Sequence, residues 1–165
     1  MRFKWVPEPP ETLDDLGAVH RAVPLVPTSE SDCQHRLVDR TAHISDRESA
    51  SEWLTFLRAL GVVEQVSRGY RRRRLELTTD ELFRRLQDGI YGARELYDVL
   101  AAASHHLAVE TMLDRGADLP TWERHHQVNH QEVHRRRGRR LADWFVLCGI
   151  AEKTAAGYRL VEPER

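Results

Sequence analysis

The chain has 165 residues, of which 41% are hydrophobic and 31% are charged, and its formal net charge is -1. This composition is sufficient for one or two hydrophobic cores, and it excludes an intrinsically disordered chain. No apolar run approaches the roughly 18 residues of a membrane span, and the first residues lack the apolar stretch of a secretory signal. We therefore expect a cytoplasmic protein with no membrane partner.

The near-neutral net charge hides two arginine-rich segments. Residues 68–74 read RGYRRRR and residues 134–140 read HRRRGRR, and neither segment contains an acidic residue. Only Lys4 and Lys153 are lysines, so arginine supplies nearly all of the 25 basic side chains. A chain that is rich in arginine, poor in lysine and acidic elsewhere is typical of proteins from salt-loving archaea.

Apolar spacing predicts three helices before the first arginine-rich segment. The first runs from Thr12 to near Pro24, and a short second helix lies within residues 30–43. A third helix reads SDRESASEWLTFLRAL, with apolar residues three and four apart. Ser45, with a glutamate three residues later, is a capping-box start, and Gly61 supplies a left-handed residue that ends the helix.

A β-hairpin is predicted directly after this third helix. VVEQV reads as one strand, SRG as the turn and YRRRRLEL as the returning strand, so the hairpin covers residues 62–77. Because alternate side chains of a strand point to opposite faces, only two of the four consecutive arginines at 71–74 share a face.

The second half of the chain predicts a longer series of helices. Thr79 caps the first of them. The predicted helices cover residues 79–87, 92–103, 107–116, 119–130 and 133–148. By position, residues 119–130 correspond to the second helix of the first half, and residues 133–148 correspond to its third helix.

The chain repeats itself at a shift of 88 residues. Five residues are identical at that shift, and they keep their spacing: Gly61, Glu64, Gly69, Tyr70 and Arg71 align with Gly149, Glu152, Gly157, Tyr158 and Arg159. Five identities are few, so chance similarity is the alternative to duplication, but the matching apolar classes favour duplication. We expect Tyr70 and Tyr158 to pack at the base of their hairpins.

Each half resembles the winged helix-turn-helix superfamily. The features that carry the resemblance are a capped third helix that ends in ALG or LCG and a hairpin that bears RGYR or AGYR. The opening of the chain also resembles a haloarchaeal protein group. The resemblance implies a mainly α fold with small β-hairpins (α+β). It divides the chain into two tandem winged-helix-like units, 1–78 and 79–165, the second with an extra N-terminal helix.

This resemblance implies a DNA-binding protein that acts as a transcriptional regulator. In the superfamily, the first half of the third helix faces the major groove and the hairpin touches the backbone or minor groove. Carried over to this sequence, Arg135, Arg136, Arg139 and Arg140 point outward. The complete set of expected contacts with double-stranded DNA is His134, Arg135, Arg136, Arg137, Arg139, Arg140, Arg68, Arg71, Arg72, Arg73, Arg74 and Arg159.

The third helix of the first half favours a different function. Its exposed start carries Asp46, Arg47, Glu48 and Glu52, a mixed and mildly acidic set that phosphate repels. The alternative function is therefore a non-catalytic protein-interaction scaffold built from tandem winged helices. A homodimer or another protein partner stays open, as do the DNA target, an effector ligand and the packing of the two units.

Nothing in the sequence indicates catalysis, a cofactor or a metal. The chain contains neither a glycine-rich phosphate loop nor a nucleophile-elbow motif. His126, His130 and His134 recur every four residues, but the helix-turn-helix interpretation places a turn between the last two, so we expect no metal site. Cys33 and Cys148 are expected to be buried thiols in a reducing compartment.

Overall fold

The computed structural model describes residues 5–115 and 130–161, and in the second range the side chains from Glu132 onward. These residues form a mainly helical fold with two small antiparallel β-hairpins, which confirms the predicted fold class. The elements are α1 (Leu13–Ala22), α2 (Glu30–Arg40), α3 (Arg47–Ala59), β1 (Val63–Val66), β2 (Gly69–Arg72), α4 (Thr79–Gly89), α5 (Ala93–Ala102), α6 (Val109–Arg115), α7 (His130–Leu147), β3 (Ala151–Thr154) and β4 (Gly157–Leu160).

Side-chain caps fix where the helices of the first unit begin. The Thr12 hydroxyl accepts a hydrogen bond from the backbone of Asp15 at the start of α1, as predicted. At the start of α3, the Asp46 carboxylate accepts one from the Ser49 backbone N–H at 2.7 Å. The predicted cap at Ser45 is therefore wrong by one residue. A carboxylate at this position also complements the positive end of the helix dipole.

In each unit, an isolated backbone bridge connects the hairpin to a residue just before the second helix of that unit. Thr28 exchanges two backbone hydrogen bonds with Tyr70, at 2.8 and 2.9 Å, and Leu107 does the same with Tyr158. The first hairpin is shorter than predicted, because β2 ends at Arg72 and residues 73–77 form no strand.

The two bridges identify which helices correspond. In each unit a helix precedes the bridge, two helices follow it and a hairpin closes the unit, so α5, α6 and α7 match α1, α2 and α3. The sequence predicts residues 119–130 as the counterpart of α2, and all of these except His130 lie outside the described residues. The structure gives that place to α6, because α6 directly follows the bridge and packs against α7.

The third helix of the second unit begins earlier than predicted. α7 runs for 18 residues from His130, so the turn expected between His130 and His134 is wrong. The intervening residues include neither glycine nor proline, and nothing local breaks the helix. Gly138 lies in its middle, where an added Cβ would come within 2.7 Å of the Leu113 side chain on α6. Glycine therefore allows α6 and α7 to approach closely.

One hydrophobic core spans both units. At its centre the aromatic rings of the two third helices meet. The ring centroids of Phe56 and Trp144 are 5.0 Å apart, and those of Trp53 and Trp144 are 6.0 Å apart. Aromatic pairs at these separations add to the free energy gained by burial. The two units consequently form one packed body along this contact, which we call the aromatic junction.

The N-terminal segment, residues 5–10, crosses the aromatic junction. Val6 is buried, and the Trp5 ring packs edge-on against Phe56 at 6.3 Å. The Trp144 indole N–H donates a hydrogen bond of 2.8 Å to the backbone carbonyl of Pro7. This bond satisfies a polar atom that burial would otherwise leave without a partner.

Helix α4 joins the two units from the other side. Gly89 lies so close to α3 that an added Cβ would sit 2.1 Å from the Ala59 carbonyl oxygen. The Arg85 guanidinium donates to the Leu60 carbonyl at 2.9 Å, and the Phe83 ring packs against Phe145 on α7. None of the helices in the described part of the chain is long and apolar enough to cross a membrane.

Candidate nucleic-acid interface

The first half of α7 exposes one arginine stripe. Its buried side includes Gly138, which faces α6, and continues at Leu141. On the opposite side Arg135, Arg136 and Arg139 are exposed. We call these three side chains the α7 arginine stripe.

The protein's own carboxylates only weakly engage the α7 arginine stripe. Arg135 lies 3.7 Å from Glu110, and Arg136 lies 3.9 Å from Glu132. Both distances are near the limit for an ion pair, and all four side chains are more than half exposed. Pairs of this kind contribute little to stability, because water screens them. Among the described residues Arg139 has no ion pair, so all three guanidinium groups can reach a phosphate.

Two other arginines of α7 are held by the protein. The Arg137 guanidinium donates to the Tyr91 carbonyl and lies over the Tyr91 ring, 5.6 Å from its centroid. The Arg140 guanidinium is half-buried and donates to the Val6 carbonyl at 3.3 Å. The prediction that Arg140 points outward is therefore wrong, because the N-terminal segment covers it. His134 is half-buried at the edge of the stripe.

Glu52 of α3 lies near enough to Arg140 for the arginine charge to influence its carboxyl group. Burial raises the pKa of the Glu52 carboxyl, the charge of Glu48 adds to the rise, and the nearby charge of Arg140 opposes it. Glu52 and Arg140 are equivalent positions of the two units at the 88-residue shift. Phe56 and Trp144 are also equivalent at this shift, and their rings are in contact. Contacts between equivalent residues are what a two-fold arrangement of two units produces.

In the first hairpin the strand arginines point to opposite sides, as alternation predicts. Arg71 pairs with Glu64 directly across the hairpin. Arg72 is half-buried beside α1, where burial lowers the pKa of its guanidinium and the charges of Arg21, Arg74 and Arg36 lower it further. Arg71 is thus exposed but paired with a carboxylate, and Arg72 is half-buried.

The remaining arginines of this hairpin lie at its two ends. Arg68 is exposed in the turn. Arg73 donates to the Gly61 carbonyl at 3.1 Å, and Arg74 is exposed beyond the end of β2. Of the five arginines predicted as contacts in the first hairpin, four are exposed and Arg72 is half-buried.

The main contribution of the second hairpin is to hold α7 in place through Asp143. Tyr158 is buried, and its hydroxyl donates to the Asp143 carboxylate at 2.5 Å. Burial raises the pKa of this hydroxyl, and Asp143 raises it further. Lys153 lies 3.4 Å from the same carboxylate. Asp143, the acid that follows the α7 arginine stripe, is therefore engaged by two side chains of the second hairpin. Arg159 is half-buried opposite Glu152 in the ladder.

The predicted places of the two hairpin tyrosines agree with the structure. Tyr158 is buried at the hairpin base, and Tyr70 is half-buried against the core. Both donate and accept the backbone bonds of the bridges, which fixes each hairpin against its helices.

The third helix of the first unit exposes a different set of side chains at the same positions. Arg47, Glu48 and Ser51 occupy the places of Arg135, Arg136 and Arg139 at the 88-residue shift. The charge there is mixed, as the sequence indicated. The Arg47 guanidinium is also engaged, since it donates to the Ser31 hydroxyl of α2 at 2.8 Å.

Other chemistry finds little support in the described residues. They contain no group of three or more histidine, cysteine or acidic side chains that could hold a metal ion, and the predicted histidine series begins at His126, outside them. Cys33 and Cys148 are both unbridged and buried, as predicted. Burial raises the pKa of the Cys148 thiol to about 12, so this sulfur stays protonated and unreactive.

The sequence did not reveal the aromatic junction or the N-terminal segment that covers it. The signal was present in part: Phe56 and Trp144 are large aromatic residues at equivalent positions beside residues that already fill each unit's core. A helix that is apolar on two sides packs against two neighbours.

The chain contains the same series of elements twice: a helix, a bridge, two packed helices and an antiparallel hairpin. This arrangement defines a tandem winged-helix protein. The comparison with family models agrees, because the model described as the halobacterial double winged helix domain matches residues 1–165. The chain belongs to this family. Comparison with curated proteins and with solved structures gave no match.

Proposed function

We propose that the protein binds double-stranded DNA through the α7 arginine stripe and acts as a transcriptional regulator that performs no chemistry. The observation that carries the proposal is the position of Arg135, Arg136 and Arg139. They lie exposed on the first half of the third helix of a winged-helix unit. This half of the helix is the one that enters the major groove in helix-turn-helix proteins.

Arginine is suited to both parts of DNA recognition. Its planar guanidinium pairs with phosphate, and it pairs bidentately with the O6 and N7 atoms of guanine. Each neutralised phosphate releases counterions, so affinity falls as salt rises. The family is halobacterial. At high intracellular salt, phosphate contacts alone are weak, and base contacts by the α7 arginine stripe have to supply affinity.

A protein-interaction scaffold is the second candidate function. It is favoured by the aromatic junction, where α3 and α7 pack against each other and the N-terminal segment covers them. It is also favoured by the mixed charge of α3, whose exposed start includes Glu48. In this alternative the winged-helix units are used for assembly and only the exposed surfaces contact a partner.

A salt titration separates the two functions. Binding to a mixed-sequence duplex is measured by fluorescence anisotropy at several potassium chloride concentrations. The wild type is compared with the triple variant Arg135→Gln, Arg136→Gln, Arg139→Gln. If each arginine neutralises one phosphate, the slope of log affinity against log salt decreases by up to about 2.7, which is about 0.9 for each contact.

The matched control removes three exposed arginines from the first unit. The variant Arg40→Gln, Arg47→Gln, Arg58→Gln loses the same total charge, and all three side chains are exposed on α2 and α3. We expect it to keep the wild-type slope to within about one contact. Absence of duplex binding by the wild type at low salt contradicts the DNA-binding proposal and favours the scaffold. An equal loss in both triple variants contradicts the assignment of the contact surface to the α7 arginine stripe.

A further inference from the structure

A cavity of about 730 Å³ lies between α1 and the segment that leads from the first hairpin into α4. Leu13, Leu75 and Leu77 supply an apolar part of its wall. Its volume lies within the range of small-molecule sites. The cavity is separate from the α7 arginine stripe and includes none of its residues.

Three arginines face this cavity. Arg21 comes from α1, and Arg72 and Arg74 come from the end of the first hairpin. The Arg21 guanidinium folds back over Gly17, since a Cβ added at Gly17 would be 3.0 Å from Arg21 Nη1. Across the part of the chain that the structure describes, none of these three arginines forms an ion pair with a carboxylate. Like charges repel, so an anion placed among the three guanidinium groups would be attracted by all of them.

Arg72 lines the cavity from a half-buried and poorly satisfied position. Its Nε atom is fully buried and has no hydrogen-bond partner in the described part of the chain. A buried donor without an acceptor costs free energy. The backbone holds the residue in place, because the Arg72 N–H donates to the Pro24 carbonyl at 2.8 Å. Burial closes Nε itself off from the cavity, so a ligand oxygen would contact the part of the Arg72 side chain that lines the wall, without any rearrangement of the strand.

The remaining polar wall narrows the chemistry of the ligand. His20 is buried and its Nε2 atom lies 2.9 Å from the Val62 carbonyl. Asp14 and Glu76 also line the cavity. These carboxylates repel a polyanion such as duplex DNA, whereas a small molecule can place its anionic group on the arginines and a hydroxyl or amino group on the carboxylates.

We propose that this cavity binds a small organic anion that also carries hydrogen-bond donors, with its phosphate or carboxylate group held by Arg21, Arg72 and Arg74. The apolar wall covers the carbon skeleton of the ligand. Since the walls come from α1 and from the segment that enters α4, the ligand contacts both the first unit and the connection to the second. Binding therefore stabilises the folded protein by mass action.

Ribose 5-phosphate and malate test the proposal, because each combines an anionic group with hydroxyl donors. Each probe is titrated into the full chain at constant ionic strength, and binding is followed by isothermal calorimetry and by the NMR signal of the Arg72 Nε–H. We expect saturable binding of at least one probe, together with a shift of that signal. The probe that binds more tightly tells whether phosphate or carboxylate is preferred.

Two double variants distinguish a built site from general attraction to a positive surface. Arg21→Gln with Arg74→Gln removes the two exposed arginines of the cavity, so the fold is preserved. This variant should bind at least about tenfold more weakly. The charge-matched control, Arg68→Gln with Arg139→Gln, changes exposed arginines elsewhere and should bind within about twofold of the wild type.

Three results overturn the proposal. They are the absence of saturable binding for both probes, an equal loss of binding in both double variants, and a shift of the Arg72 signal by duplex DNA alone. The triple variant Arg135→Gln, Arg136→Gln, Arg139→Gln should still bind the anion. Failure of the cavity proposal is thereby distinguished from failure of DNA binding.

Discussion

The third helices α3 and α7 have the same place in their units but expose different surfaces. On α7 the outward positions hold three arginines, and on α3 the same positions hold Arg47, Glu48 and Ser51. The inward positions remain apolar in both helices. Packing keeps the buried positions of equivalent helices apolar, whereas their exposed positions can differ in charge.

The aromatic junction shows how two similar units came to fit each other. Phe56 and Trp144 occupy equivalent positions and their rings touch. Glu52 and Arg140 are also equivalent, and they carry opposite charges. In a pair of identical units the same residue faces itself, and two like charges would repel. Joining the units in one chain allowed the two positions to differ.

The largest effect is expected at the aromatic junction. Trp144→Ala leaves a cavity where the rings of the two units meet, and we expect the free energy of unfolding to fall by about 3–5 kcal/mol. Urea unfolding followed by circular dichroism measures the change. Combining it with Phe56→Ala in a double-mutant cycle should give a coupling of about 0.5–1.5 kcal/mol. Strict additivity would mean that the units do not meet at these rings.

The next largest effect is expected from comparing a glycine at a bridge with a glycine that ends a helix. Gly157 has φ +119°, and an added Cβ would lie 2.1 Å from the Leu107 carbonyl oxygen, whereas Gly149 has φ +72° and nothing within 4 Å. Gly149→Ala should cost about 1–2 kcal/mol for the left-handed backbone alone. Gly157→Ala should cost about 3 kcal/mol, because the bridge must also open. Equal unfolding midpoints in urea would show that the bridge contributes no stability.

His20 gives a smaller effect that depends on pH. Burial lowers the pKa of its imidazole, the charges of Arg72, Arg21 and Arg85 lower it further, and the hydrogen bond with the Val62 carbonyl opposes them. Below about pH 6.5 the unfolded chain therefore binds a proton at His20 that the folded protein does not. Stability falls as pH decreases through this range, by at most about 1.4 kcal/mol for each pH unit.

The measurement compares unfolding of the wild type and His20→Gln in urea at about pH 7.5 and pH 5.5. Glutamine can still donate to the Val62 carbonyl, so the variant removes the titration but keeps a donor. The wild type should lose more stability on acidification than the variant. The same loss in both proteins would assign the pH dependence to other groups.

The smallest expected effect lies at the charge pair of the junction. Arg140→Glu places a second carboxylate near Glu52 and removes the hydrogen bond with the Val6 carbonyl, and it should cost about 1 kcal/mol. Adding Glu52→Arg restores opposite charges and should recover about 0.5 kcal/mol. Thermal unfolding of both single variants and the double variant measures the coupling. A double variant no more stable than Arg140→Glu would show that the two charges do not interact.

Much of the fold could be predicted because its determinants are local. Thr12 caps α1 where the sequence indicated, and the glycines at 61 and 149 end their helices with φ near +73° and +72°. The hairpins follow from apolar runs around short turns, and the shift of 88 residues aligns them. These features depend on a few neighbouring residues, so composition and spacing specify them.

The candidate site could be predicted only as a group of arginines. The sequence placed the charge on the third helix of the second unit, and the structure keeps Arg135, Arg136 and Arg139 exposed there. It could not separate these from Arg137 and Arg140. Their carbonyl partners, Tyr91 and Val6, are 46 and 134 residues away in the chain. A hydrogen bond over that separation depends on how the units pack.

By itself the sequence determined most of the elements, the repeat at a shift of 88 residues and the uneven placement of charge, because helix caps, left-handed glycines and apolar spacing act over a few residues. Tertiary structure alone decided that α6 takes the place of the second helix, that Phe56 meets Trp144, and that Arg72 faces a cavity with Arg21. The physical reason is that burial and electrostatic environment arise from residues distant in the chain, and only packing brings those residues together.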